Sequence, residues 1–163
     1  MTLVVDASLL LACVLPDERS DDAVTAVADQ LRSGEPLIAP FYLPVELLSG
    51  IEQAARRGRV KEEDRLDAYT AAVEPGIELV TLPVAGDRST TPLFDLVDRS
   101  GLRSYDALYL QLALARTAPL ASLDEALRRA ATIEGVEVVP KPGGESPAKS
   151  PHAQRPRRPS SKR

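Results

Sequence analysis

The 163-residue chain has one cysteine, one histidine, one methionine and no tryptophan. A single cysteine, Cys13, excludes an intrachain disulfide and suits a reducing compartment. It lies inside the apolar run LLLACVL and reads as a small core residue. The one histidine, His152, stands near the C-terminus among Pro, Arg and Lys, which argues against a zinc site or a histidine base. No apolar run approaches the roughly 20 residues that a bilayer-crossing helix requires. The apolar N-terminus has no basic residue ahead of it and is interrupted by Asp6, so it reads as part of a folded domain rather than a leader. The expectation is a cytoplasmic protein with no membrane contact.

Charge is present but unevenly placed. Residues 141–163 hold seven Lys or Arg against one acid, Glu145, a net of +6. The overall charge of −4 therefore leaves −10 on residues 1–140. The same last segment carries Pro142, Pro147, Pro151, Pro156 and Pro159 and has almost nothing apolar to bury. These two shifts divide the chain into a domain over 1–140 and a basic, Pro-rich disordered tail over 141–163.

Within 1–140, short apolar runs alternate with amphipathic stretches. LVVD (3–6), PLIA (36–39), ELVTL (78–82), PLAS (119–122) and VEVV (136–139) read as strands. Helices are expected over 8–15, 20–33, 43–57, 61–74, 92–100, 104–117 and 124–131, with Pro16, Gly34, Gly58, Pro75 and Gly101 as stops. Such alternation implies an α/β fold with a mostly parallel sheet, and strands that are apolar throughout imply helices on both faces. In open sheets of this kind, ligands bind beyond the carboxyl ends of the strands.

Acids occupy those positions. Asp6 ends the first strand, Glu46 lies early in the helix after the second, Asp106 opens the helix 104–117, and Asp124 follows PLAS. Each also has a structural reading. Asp6 could cap the following helix, Glu46 and Asp106 could simply favour a positive helix end, and Ser122-x-x-Glu125 around Asp124 reads as a capping box. Taken together, four carboxylates in one crevice repel one another, so either some are protonated or a cation lies between them. Oxygen donors without His or thiolate suit a hard ion, Mg²⁺ or Mn²⁺.

The strings VVDAS (4–8), APFYLPVELLSGI (39–51), SYDALYLQLAL (104–114) and LASLDEAL (120–127) resemble, in order and spacing, the four-part signature of PIN-domain toxins of the VapC type. The resemblance implies a PIN-like three-layer domain with a five-stranded mostly parallel sheet flanked by helices. It also implies a metal-dependent endoribonuclease, the toxic half of a toxin–antitoxin pair. By that resemblance Asp6 and Asp106 are the primary Mg²⁺ ligands, with Mn²⁺ able to substitute. Asp124 completes the site, and Glu46 holds a second ion or orients the attacking water. Ser8 and Ser122 match supporting hydroxyl positions. The implied partners are an RNA substrate, a VapB-type antitoxin and a second copy in a homodimer.

Other residues allow two readings. Arg56, Arg57, Arg59 and Lys61 suit a solvated helix end, with RNA phosphate as the other use. Tyr105 and Tyr109, flanking Asp106, suit core packing or a dimer contact, with base stacking as the other use. Leu108, Leu112 and Ala115 continue an apolar stripe fit for the core or a dimer interface. A phosphotransfer receiver domain would require paired acids after the first strand, which Asp6-Ala7-Ser8 lacks, and a lysine after the last strand, where Lys141 lies outside the sheet. A PIN-like RNA-binding or protein-interaction scaffold without cleavage is the alternative that the acids argue against.

Overall fold

The computed structural model describes residues 1–18, 20–81 and 91–141. The proposed tail lies, apart from Lys141, outside the described residues, as does the end of the expected strand 78–82. The chain runs β1 (Leu3–Val5), α1 (Ala7–Val14), α2 (Asp21–Ser33), β2 (Leu37–Pro40), α3 (Leu43–Arg56), a 3₁₀ turn (Glu62–Asp64), α4 (Arg65–Val73) and β3 (Ile77–Val80). It continues through α5 (Thr91–Ser100), α6 (Ser104–Arg116), β4 (Leu120–Ala121), α7 (Glu125–Ile133) and β5 (Val138–Val139). The fold is α/β, as expected. The expected strands 119–122 and 136–139 shorten to Leu120–Ala121 and Val138–Val139, and at 61–74 three consecutive acids take a tight 3₁₀ turn before the helix proper begins at Arg65.

Every pairing in the five-stranded sheet is parallel, and the order is β3-β2-β1-β4-β5. The chain therefore winds outward from β1 through β2 to β3, returns to the other side of β1, and winds outward again. That reversal puts the topological switch point between β1 and β4, where open parallel sheets form their ligand crevice. Val4 pairs with Leu120 and Val5 with Ala121, so Asp6 and Ser122 leave the sheet side by side.

Burial follows from this order. The central strand β1 is wholly buried, as is β2 beside it, whereas β3 at the edge exposes Glu78 and Leu79. Helix α6 packs on β1, β2 and β4, and α1 packs against α2, α3 and α4. Leu108 and Leu112 of the α6 stripe enter the core, while Ala115 faces solvent. Gly50 marks the close approach of α1 and α3, since a Cβ there would run into the Leu11 side chain. Gly34 closes α2 with φ of 71°, a conformation that costs glycine nothing.

Candidate active site

The site forms where β1 and β4 end. Asp6 caps α1 by accepting the Leu9 N–H at 3.0 Å on Oδ1. It is only 5% exposed, so its carboxylate must find donors inside the protein. Two hydroxyls supply them. Ser122 Oγ donates to Asp6 Oδ2 at 2.7 Å, and Ser8 Oγ lies 2.8 and 3.0 Å from the two oxygens. Each hydroxyl also accepts a backbone N–H from the β4–α7 connection: Ser8 from Leu123 at 2.9 Å, Ser122 from Asp124 at 3.0 Å. The two serines thus stitch the ends of β1 and β4 together around one carboxylate.

Asp124, exposed at the rim, is the N-cap of α7 and accepts the Leu127 N–H at 2.8 Å. This corrects the capping-box reading of Ser122-x-x-Glu125. Ser122 is still in the strand exit and its hydroxyl turns toward Asp6, so the capping role falls to Asp124. Arg128, one turn into α7, holds the same connection from the other side. Its guanidinium donates to the carbonyls of Ser122 (2.5 Å), Val139 (3.3 Å) and Pro140 (2.7 Å), tying β4 to β5.

Across the crevice, Glu46 lies in the first turn of α3 and Asp106 in the first turn of α6. Both are half-buried. Tyr109, 2% exposed, donates its hydroxyl to Glu46 Oε2 at 2.5 Å. Of the two tyrosines that suit core packing or a dimer contact, Tyr109 is buried but also orients an acid. Tyr105 does not pack in the core, being 63% exposed, because its position on α6 carries its ring to the surface. Tyr42 went unremarked in the sequence. Its ring meets those of Phe41, Tyr105 and Tyr109 edge-on, and its hydroxyl donates to the Tyr105 carbonyl. Its place between a strand end and a helix start was the available signal.

The acids sense one another. Burial pushes Asp6 up to about 6 from 3.8, against the hydrogen bonds of Ser122, Leu9 and Ser8, with the Asp124 charge adding to the rise. Glu46 is raised by burial and by the charges of Asp106 and Asp6, opposed by the Tyr109 hydroxyl. Asp106 is raised by burial and by Asp124, opposed by Arg103. Burial and the Glu46 charge hold the Tyr42 and Tyr109 hydroxyls protonated far above their ordinary range. A set of oxygen donors whose negative charges raise one another fits a divalent hard cation. Among the described residues no three acids stand close enough to enclose one ion by themselves. An ion that keeps several waters and takes one or two carboxylates, as Mg²⁺ does, matches such a spread set.

The basic cluster is largely accounted for. Arg59 pairs with Glu18 and with Asp17 at 3.2 Å, and Lys61 lies 3.8 Å from Glu63. Arg56 and Arg57 remain exposed at the end of α3.

Carboxylates placed at the switch point of a parallel sheet lie where open α/β sheets form their ligand crevice, and such oxygen donors can hold a divalent cation. The chain belongs to the PIN domain family, whose model matches residues 3–133; PIN domains are generally nucleases. No curated protein matches the sequence. Among solved structures it is similar to PAE2754 from Pyrobaculum aerophilum, at 19% identity and a TM-score of 0.63 over 85% of this chain and 84% of that one. It is also similar to VapBC2 from Rickettsia felis, solved bound to a DNA fragment from their promoter. That match has 14% identity and a TM-score of 0.60 over 85% of this chain and 97% of that one. At these identities the two likenesses establish the fold.

Proposed function

We propose that this chain is a divalent-metal-dependent endoribonuclease and the toxic component of a toxin–antitoxin pair. The observation that carries the reading is that Asp6, Glu46, Asp106 and Asp124 lie at one end of the sheet, where the charge of Asp124 raises Asp6 and Asp106 and the charges of Asp106 and Asp6 raise Glu46. Asp6 and Asp106 are the residues that would hold Mg²⁺ or Mn²⁺, with Asp124 at the rim and Glu46 on the opposite wall. The bound ion would lower the pKa of a water and offset the charge that builds on the phosphate during in-line attack.

The chain's own groups have separable roles in that chemistry. Ser8 and Ser122 hold both oxygens of Asp6, so its orientation does not depend on the ion. Glu46, whose raised pKa suits it to take a proton, is aimed by Tyr109 and can orient the attacking water. The reading assigns RNA as substrate and a separate VapB-type antitoxin as partner, with a second copy completing a homodimer. The −10 body offers the antitoxin a surface for basic side chains.

The test is cleavage of RNA by the purified chain with Mg²⁺ or Mn²⁺, with products carrying 5′-phosphate and 3′-hydroxyl ends. EDTA and Asp106→Asn should each abolish it. Expression of the wild-type chain alone should slow bacterial growth, and co-expression with a small antitoxin from the neighbouring reading frame should restore it. Metal-independent binding without cleavage would instead establish the scaffold reading.

A further inference from the structure

The acids do not exhaust the crevice. Between the first turns of α3 and α6 lies a groove of about 830 Å³ that shares Glu46 with the acidic site and continues past Arg103, Tyr105 and Phe41. Its size is that of a small-molecule pocket, for which volumes of roughly 300–1,000 Å³ are usual. Phe41 is 51% and Tyr105 63% exposed. Leaving two large rings in water is unfavourable for a monomer unless something covers them.

The rings are fixed, not loose. Tyr42, buried beneath them, meets Phe41 at 5.7 Å and 85° and Tyr105 at 5.2 Å and 72° between ring centroids and planes. Both contacts are edge-to-face, so neither exposed ring is in a parallel stack with Tyr42. The Tyr42 hydroxyl also holds the Tyr105 carbonyl, and Asp106 is the next residue, so one anchor holds the stretch of backbone that carries both. Arg103 precedes α6, and its charge reaches Asp106. Ser49 and Gln53 add a hydroxyl and an amide to the groove wall.

Aromatic faces, hydrogen-bonding edges and one cation beside an acidic site match a nucleotide. A purely apolar helix would offer nothing to the Gln53 amide and the Arg103 guanidinium on the groove wall. The charge of the body points the same way. A −10 surface repels a polyanion, so grip through ring stacking, which carries no net charge, is favoured over grip through many phosphates. We propose that this groove is a base-binding subsite. In it an unstacked base of single-stranded RNA lies against Tyr105 and Phe41, and Arg103 pairs with a neighbouring phosphate. The proposal rests on RNA being the substrate, and it adds where and by what groups the RNA is gripped.

The test is fluorescence anisotropy of a labelled single-stranded RNA on the full chain carrying Asp6→Asn, which keeps the RNA intact. Tyr105→Ala and Phe41→Ala in that background should each weaken binding about 5- to 150-fold, the range for one stacked base, while the loss of one edge-to-face contact with Tyr42 lowers the melting temperature by no more than about 5 °C. Tyr105→Trp should retain affinity. Arg103→Gln should flatten the slope of log K against log salt by about 0.7, the share of one phosphate on a single strand. Unchanged affinity in both alanine variants overturns the proposal, and so does an Asp6→Asn chain that binds no RNA. Dissociation of a wild-type dimer by Tyr105→Ala with RNA affinity intact would assign the groove to a second copy and overturn it as well. Failure of the nuclease reading looks different: the alanine losses would persist while the wild-type chain cleaved nothing.

Discussion

The two walls of the crevice hold their acids in different ways. On the β1–β4 side, Asp6 is buried and takes donors from Leu9, Ser8 and Ser122, which are in turn pinned to the backbone of the next connection. On the α3–α6 side, Glu46 is half-buried and held by Tyr109, and Asp106 is half-buried in the first turn of its helix. The first wall is preorganised by a closed network. The second keeps freedom to adjust. Under the proposed function, rigid placement of one ligand and adjustable placement of others would suit an ion that binds, positions a phosphate and releases product.

The sharpest way to break this contrast is to remove the charge at its fixed end. Asp6→Asn keeps an N-cap oxygen for α1 yet removes the anion. RNA cleavage should fall by more than about 10³-fold, beyond the roughly 10–100-fold that groups supporting a ligand are worth. Full cleavage by the purified, folded variant would remove Asp6 from the site.

The same substitution has an opposite effect on stability. Folding raises Asp6 from 3.8 to about 6, so the folded chain holds this proton more tightly than the unfolded one. The advantage is complete below about pH 4 and is lost as pH rises through about 6. Relative to wild type, Asp6→Asn should be near neutral at pH 4 and gain up to about 3 kcal/mol by pH 7. Urea unfolding in EDTA at both pH values measures this. A difference that did not grow with pH would show that Asp6 stays ionised without strain.

Ser122→Ala probes the network rather than the charge. It removes a buried donor to Asp6 and a part-buried acceptor for the Asp124 N–H. A loss of about 1–3 kcal/mol and a drop in activity of about 10–100-fold are expected. The smallest effect should come from the adjustable wall. Tyr109→Phe frees Glu46, whose half-exposed carboxylate can turn to water, so a cost of about 1 kcal/mol and under about tenfold in cleavage is expected. If Tyr109→Phe proved costlier than Ser122→Ala, the assignment of fixed and adjustable walls would be reversed.

Much of the molecule was legible before any coordinates. Apolar strands, helix stops such as Gly34, and acids placed just after strands are local features, and local features can be read from periodicity and spacing. So Asp6, Glu46, Asp106 and Asp124 could be named, and an α/β sheet expected. Which strand lies beside which could not be read, because a parallel pairing joins residues far apart in sequence. The order β3-β2-β1-β4-β5 is what brings Ser122 onto Asp6 across 116 residues and Tyr109 onto Glu46 across 63. The roles of those groups therefore depended on packing. In the sequence Ser122 fits both a supporting hydroxyl and a helix cap, Tyr109 fits core packing, a dimer contact or base stacking, and only a place between a strand end and a helix start marks Tyr42. A hydroxyl looks the same in sequence whether it caps a helix or holds a carboxylate. Only the fold decides which acceptor lies within 3 Å of it.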